Sequence, residues 1–315
     1  MIQAITICHI DLADIDFSDT SYHLFLSTQE SVESLSTKEL QLQALLHPPL
    51  VLKSKQRYIP VSGHILLEQL MRKQPHSVHA LVLEKKQLNQ FDIFTIMLQH
   101  CQIHGDLTSM DLAVFCHKAL VHFSKKQLLQ LLPAMGIKKN EHVLNELLSL
   151  LNLEKNVQRA IHEGVIVTKQ ARHFFRFSHN DQKLLAQVIR DFQFGGSKQR
   201  NFLEAMGELV QREAKQAQYF FDLWEQEEKE KQLNGPQKGN SLLEWLKQRC
   251  KPLSTKAEHE FTLFVQQINL PKQATLQHTP AFEDDHITLT IRYPSKKAFL
   301  QQWSTLKEAL MEKTN

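Results

Sequence analysis

The sequence predicts an α+β protein that is mostly α. It has a small α/β N-terminal domain, a helical middle domain with a helix-turn-helix, and a small strand–helix C-terminal unit. Three observations predict this. Short runs of apolar and β-branched residues with turn signals between them are confined to residues 5–84. From residue 88 onward apolar residues recur almost without interruption at helical spacing. A single strictly alternating run, HITLTIRY (286–293), stands near the end. The chain has 315 residues, enough for two or three domains. Boundaries are placed at 1–105, 106–212, 213–240 (charged helix and linker) and 241–315 (a helix/strand unit suited to dimerisation).

The elements follow in order. ITICHI reads as a strand followed by the acidic turn of Asp11, Asp14, Asp16 and Asp19, a solvated capping stretch. Residues 29–46 carry Val32, Leu35, Leu42 and Leu46 at helical intervals. His47-Pro48-Pro49 ends that helix, because the residue before a proline avoids the helical region. LVLKS (50–54) and RYIPVS (57–62) read as strands across a tight turn, Gly63 opens the helix HILLEQLMRK, and VHALVLE (78–84) is a further strand. Helices are expected over 88–102, 109–122, 124–134, 140–152, 154–163, 167–175 and 179–193. Ser124, Thr168 and Ser178 stand at helix starts, and Gly136 and Gly164 at helix ends. Residues 198–232 read as one long charged helix, and NGPQKGN (234–240) as a linker. Helices are expected again over 241–250 and 257–268. After the alternating strand comes a helix with Phe299, Trp303, Leu306 and Leu310 on one face. The strand needs a partner in its own segment, in another domain or in a second copy.

Composition excludes several classes. No apolar run approaches the roughly 18 residues of a membrane span. The N-terminus lacks the basic flank of a secretory signal. Cys8, Cys101, Cys116 and Cys250 lie far apart without a CxxC pair, so a disulfide framework is not expected and the cytoplasm is. Neither GxGxxG nor a Walker loop occurs. Net charge is only +3, but it is unevenly spread. Residues 118–212 hold 15 Lys+Arg against 8 Asp+Glu, whereas residues 1–117 hold 8 against 12. A basic helical block beside an acidic one is the footprint of a nucleic-acid contact, and also of an ordinary solvated face.

Within that block, PAMGIKKN (133–140) reads as the turn of a helix-turn-helix. The second helix starts near Asn140 and presents Lys138, Lys139, Asn140, His142 and Asn145, the residue types that reach phosphates and base edges. Leu144, Leu147, Leu148 and Leu151 hold it to the first helix. A second cluster is Lys169, Gln170, Arg172, His173 and Arg176. A third is Ser197, Lys198, Gln199 and Arg200. Phe174, Phe175 and Phe177 read as core in preference to base-stacking rings. His100, Cys101, His104, Cys116 and His117 match no zinc-finger spacing, so no metal is expected, and Cys116 reads as a small buried hydrophobe.

NVQRAIHEGVIVTKQARHFF (156–175) resembles the segment that follows the helix-turn-helix of ParB chromosome-partition proteins, with Glu163-Gly164 and Ala171-Arg172 in place. LNELLSLLNL (144–153) is similar to the family's recognition helix. Residues 39–70 resemble its ParB/sulfiredoxin-like N-terminal domain, and 282–306 the strand–helix tail of several members. The resemblance implies double-stranded DNA as partner, a homodimer, a ParA-like ATPase as a further partner, and a cytoplasmic, nucleoid-associated location. It also implies CTP with Mg²⁺, held by a Gly-Glu-Arg-Arg box and a Glu-Asn-x-x-Arg box. This sequence has Gly63-His64-Ile65-Leu66 and His100-Cys101-Gln102-Ile103-His104 there. A triphosphate with its metal needs cationic or amide donors and oxygen ligands. The expectation is therefore a degenerate nucleotide box at Gly63 and His64, no cofactor and no enzyme activity. The reading is a non-enzymatic DNA-binding protein of chromosome or plasmid partition, or of nucleoid organisation. The alternatives are a CTP-hydrolysing DNA clamp and a protein-interaction adaptor.

Overall fold

The computed structural model describes residues 5–24, 35–73, 76–228 apart from 104 and 106, and 234–303 apart from 269, 271, 272, 280, 281, 283, 285 and 302. The chain forms two compact units, 1–239 and 240–315.

The first unit opens with a four-stranded mixed sheet of order β1-β4-β2-β3. β1 (Ile5–Asp11) pairs antiparallel with β4 (Ser77–Glu84), from Ile5↔Leu83 to Asp11↔Ser77. β4 runs parallel to β2 (Leu50–Ser54), and β2 antiparallel to β3 (Arg57–Ser62). The β2–β3 turn is tight, as the sequence predicts, with Lys55 at φ +58°. Pro60 is accommodated because β3 is an edge strand, where a missing N–H breaks no central ladder. α1 (Thr37–Leu46), capped reciprocally by Ser36 and Glu39, and α2 (His64–Lys73) cover one face. The predicted start at residue 29 lies outside the described residues. Period-two alternation assigns the faces: Val51, Val78, Ala80 and Val82 pack under α1 and α2, while Leu50, Leu52 and Leu83 face the other way.

That second face is covered by α3 (Gln90–Ile103) and α4 (Ser109–His122). Its core continues through Phe94, Phe115, Cys116 and Ala119 to Leu128, Leu131 and Leu132 of the next helical turn and Leu144 of the helix after it. One apolar core thus joins the sheet to the helix-turn-helix. Buried Leu and Phe side chains stabilise by about 1.5–3 kcal/mol each, so this seam ties the two strongly. The remaining helices of the unit are α5 (Lys125–Leu131), α6 (Glu141–Ser149), α7 (Lys155–His162), a 3-10 helix over Thr168–Arg176, α8 (His179–Asp191), α9 (Gly196–Glu213) and α10 (Ala217–Glu228).

Three expectations need correction. Residues 198–232 are not one helix. The chain turns at Ala214 (φ +52°), and buried Asp181 accepts the Ala217 N–H at 3.0 Å to start α10. A single 35-residue helix would extend about 52 Å and carry Phe220, Phe221 and Trp224 away from the core. The turn returns Phe221 and Trp224 to Phe192, with ring centroids at 6.3 and 5.8 Å. Residues 234–240 are not a linker, because α11 spans Gly235–Cys250. Asn234 and Gln237 cap it reciprocally, and Pro236 sits in the first turn, where its missing N–H costs nothing. Gly239 is a packing glycine: a Cβ there would lie 2.5 Å from the Phe194 ring. Thr168 does not cap its helix; the cap position is Val167, and Thr168 Oγ1 instead meets Ser109 Oγ at 3.0 Å.

In the second unit, α12 (Pro252–Ile268) precedes a hairpin of β5 (Ala274–His278) and β6 (Ile287–Ile291). The alternating strand therefore finds its partner within its own segment, from Ala274↔Ile291 to His278↔Ile287. Residues 296–301 are helical, while Leu306 and Leu310 lie outside the described residues. No helix among the described residues is long and apolar enough to cross a membrane.

Candidate nucleic-acid interface

The α5–α6 pair forms as the sequence predicts. Ser124 and Gln127 cap α5 reciprocally. Pro133 lies in a 3-10 turn that closes at Gly136 in the left-handed conformation (φ +71°), which glycine adopts without strain. Asn140 then caps α6, its Oδ1 accepting the His142 N–H at 2.8 Å. Leu144 is buried in the shared core, where α6 packs on α4. Lys138 and Lys139 are exposed on the turn, and neither has an ion-pair partner among the described residues. The two residues next to them are engaged locally. Glu141 accepts from Lys125 Nζ at 2.5 Å, and His142, 78% exposed, faces Glu146 at 3.5 Å. Asn145 is exposed but turned sideways. It lines a groove of about 660 Å³ between α4, α6 and α7, rimmed by His117, Ser149, Asn152 and Lys155 over Val114, Leu120 and Leu148. Asn145 stands three residues after His142, about 60° round α6, at the edge where this groove begins.

The other two clusters merge into one. The 3-10 helix packs on α9 and brings Arg172, Arg176 and Arg200 around His173. Lys169 and Arg172 are exposed on the 3-10 helix, Gln170 is half-buried, and Lys198 and Arg200 are exposed on the first turn of α9. Two members assigned to the surface are inside. Gln199 is 1% exposed, and His173 is buried. Burial lowers the His173 pKa; Glu204 opposes this, and the three arginines reinforce it. Phe174 and Phe177 are core, and Phe175 is exposed.

Buried glutamines hold this region, and sequence reasoning passed over them. Gln199 Nε2 donates to Val165 O and Phe194 O at 2.7 Å each, while its Oε1 accepts the Val167 N–H. Gln182 Nε2 donates to Phe174 O and Phe177 O at 3.1 Å, and its Oε1 accepts the Glu154 N–H. Gln158 Nε2 donates to Leu151 O and Leu153 O. These amides bond backbone groups at the ends of the helices and in the loops between them. Gly164 (φ +74°) ends α7, and Glu163 anchors Arg190 at 2.5 Å. Gly207 was also missed. A Cβ there would lie 2.5 Å from Arg176 Cδ, so this glycine is what lets the arginine lie across α9. An isolated glycine inside a helical pattern was the available signal.

Around Gly63 and His64 the chain is closely packed. Gly63 (φ +83°) brings the backbone against Pro49, where a Cβ would lie 2.8 Å away. His64 stacks on His23 with centroids at 4.5 Å and planes at 8°. Burial, with His23 and Lys118 nearby, pushes the His64 pKa down to about 3. Its Nε2 has no hydrogen-bond partner. Lys118 Nζ donates to Thr20 O. In the second box, His100 is structural, with Nδ1 at 3.1 Å from Ser62 Oγ and Nε2 at 3.1 Å from Pro48 O. Burial pushes the Cys116 thiol up to about 12. No group of three or more potential metal ligands occurs among the described residues.

A sequence profile described as the ParB HTH domain matches residues 105–195, the stretch from the start of α4 to the end of α8. The chain is ParB-like in its helix-turn-helix domain. No curated protein matches the chain. Two similar solved structures are both of the C-terminally truncated chromosome-partitioning protein ParB from Caulobacter crescentus. The one complexed to the centromeric parS site has 15% identity and a TM-score of 0.33, over 62% of this chain and 98% of that chain. The one complexed with CTP-gamma-S has 18% identity and a TM-score of 0.27, over 59% and 99%.

Proposed function

We propose that this ParB-like chain binds double-stranded DNA without catalysing a reaction, in chromosome or plasmid partition or nucleoid organisation. The observation that carries this is the α5–α6 helix-turn-helix, whose turn presents Lys138 and Lys139 unpaired beside the Asn140-capped start of α6. Cations on this turn and on the Arg172–Arg176–Arg200 cluster neutralise phosphates and release counterions. The exposed N-terminal residues of α6 meet base edges in the major groove.

A triphosphate and its metal do not fit the residues at Gly63 and His64. A neutral, ring-stacked imidazole and two half-buried apolar residues stand where cationic phosphate donors are needed. Both ring nitrogens of His100 are already engaged. The proposed chain therefore works without CTP, Mg²⁺ or hydrolysis.

A homodimer belongs to the same reading. In the second unit Ile287, Leu289 and Trp303 are 50%, 44% and 48% exposed, on and after a two-stranded sheet. Such a sheet is marginal alone, and a contiguous apolar surface marks an interface. A second copy would cover it and place two α6 helices on a palindromic site. A ParA-like ATPase as partner and a nucleoid location follow from the same proposal.

The test is fluorescence anisotropy of labelled duplex DNA at two salt concentrations, with and without CTP and Mg²⁺. Salt-sensitive binding unchanged by CTP supports the proposal. Absence of binding at low salt overturns it, and tightening by CTP overturns the nucleotide part.

A further inference from the structure

The helix over Thr168–Arg176 is of the 3-10 type. Such a helix has three residues per turn, so side chains at i, i+3 and i+6 stand one above another. Burial follows that period. Ala171, Phe174 and Phe177 are buried on one side, and Lys169, Arg172 and Phe175 are exposed on another. In an α-helix the same three residues would drift about 60° round the axis at each step. Here they make one straight stripe, about 6 Å from member to member along the axis.

The stripe runs cation, cation, ring. Lys169 has no ion-pair partner among the described residues. Arg172 is oriented from beneath, its Nε–H donating to His173 Nε2 at 3.5 Å, and its two terminal nitrogens remain as donors for a ligand. Phe175 is 45% exposed, and among the described residues no ring or cation stacks on it. The backbone around it is held nonetheless. Phe174 O accepts from the Phe177 N–H and from Gln182 Nε2, and Phe177 O accepts from Gln182 Nε2 as well. The ring therefore stands on a fixed turn, which spares the ordering cost that a mobile loop would carry into binding. Arg172, Arg176 and Arg200 converge on His173 against Glu204, so the surface beside the ring is net positive.

A duplex offers a protein its phosphates and the edges of its bases, and keeps the base faces inside the stack. An unpaired nucleotide adds a free face. A rigid, exposed ring in line with two cations matches that second chemistry, in which phosphates meet the cations and a base stacks on the ring. We propose that Lys169, Arg172 and Phe175 form a binding stripe for a single nucleic-acid strand, with the two cations on its phosphates and the ring against an unpaired base. The stripe shares its cations with the DNA-binding reading above and does not need the helix-turn-helix. Duplex phosphates can use Lys169 and Arg172, but only an unpaired base can use Phe175.

The test is anisotropy of the full-length chain with labelled oligothymidylate, oligouridylate and duplex DNA, each about 15 nucleotides long, at two salt concentrations. The parent is expected to bind a single strand. Phe175→Ala and Phe175→Leu are each expected to weaken that binding about tenfold with the salt slope unchanged, and Phe175→Trp to stay within about threefold of the parent. Leucine keeps apolar surface and loses the aromatic face, so it separates stacking from burial. Arg172→Ala is expected to reduce the slope by about 0.7 on a single strand and about 0.9 on the duplex. Duplex affinity is expected to be the same for the Phe175 variants as for the parent. Binding of either single strand supports the proposal, and the tighter of the two assigns it to DNA or RNA. A parent that binds neither strand overturns it, as does a leucine variant that binds as the parent does, or equal losses on single strand and duplex. Single-strand binding without duplex binding overturns the helix-turn-helix reading and leaves the stripe standing.

Discussion

The α/β region and the helical region both bury polar side chains, and they treat them differently. Around the sheet, His64 Nε2 and Gln69 Oε1 are buried without hydrogen-bond partners. Across α7, α8 and α9, the buried amides of Gln158, Gln182 and Gln199 bond named backbone atoms. An orphaned polar atom contributes nothing to precision and costs about 1–3 kcal/mol, whereas a saturated one fixes the backbone around it. The helical region is built to hold side chains at set positions. The α/β region packs tightly around His64 and Gln69 while leaving His64 Nε2 and Gln69 Oε1 without hydrogen bonds.

The largest expected effect tests that contrast. Gln182→Ala strands the Glu154 N–H, removes the side-chain donor to the Phe177 carbonyl, and leaves Phe174 O with the Phe177 N–H alone. It should destabilise by ~3 kcal/mol, lowering Tm by roughly 6–12 °C. Gln69→Leu removes a buried oxygen that has no partner and should cost less than about 1 kcal/mol. Thermal unfolding of both variants is the check, and equal losses would erase the distinction between the regions.

The second effect belongs to the α/β region alone. His64 has its folded pKa lowered to about 3, and burial lowers that of His23 as well. Both must be neutral in the fold, while the unfolded imidazole titrates near 6.5. Their contribution is therefore complete above about pH 6.5 and is lost as pH falls toward the folded values. For His64 this amounts to ~2 kcal/mol at pH 5. Urea midpoints at pH 7.5 and pH 5 measure it. His64→Phe should flatten the difference, and a variant as acid-sensitive as the parent would show that the loss originates elsewhere.

How much of this was legible in the sequence follows from the same contrast. Strands, faces and caps were readable because they rest on local signals: alternation in VHALVLE, Ser124 before its helix, Gly136 after one. The α5–α6 turn and the merged arginine cluster drew on residues already visible as basic. Burial of Gln199 and His173 was not readable, since Gln and His beside Lys and Arg look like a solvated face. The role of Gln199 depends on backbone groups 32 and 34 residues away in sequence. The turn at Ala214 was equally hidden. No glycine or proline marks it, and it is imposed by Asp181 and the Phe192 ring packing. NGPQKGN misled for the opposite reason, since its breakers sit at a helix start and at a close approach.

The third effect is on DNA. Lys139→Ala on the turn and Arg172→Ala on the 3-10 helix should each weaken binding roughly tenfold and reduce the salt slope by about one. They differ in what supports them. Lys139 stands on an exposed turn, so Gln199→Ala should leave its contribution intact. Arg172 stands on backbone that Gln199 holds, so in a Gln199→Ala background the further effect of Arg172→Ala should shrink. A double-mutant cycle read by anisotropy reports this directly. A coupling of Gln199 to Lys139 as large as its coupling to Arg172 would mean that one scaffold carries both clusters.

The smallest effect separates folding from recognition at Asn140. Its side chain is already used as the cap of α6, and loss of such a cap costs about 1 kcal/mol. Asn140→Ala should lower stability by that amount, and Asn140→Ser should restore it, because a serine hydroxyl accepts the same N–H. DNA affinity then decides the second role. If the serine variant binds as the parent does, Asn140 only orients α6, and the contacts at this end are those of Lys138, Lys139 and His142. If it folds normally yet loses preference among duplex sequences, the amide reads a base while its oxygen caps the helix, a division of labour its two ends permit.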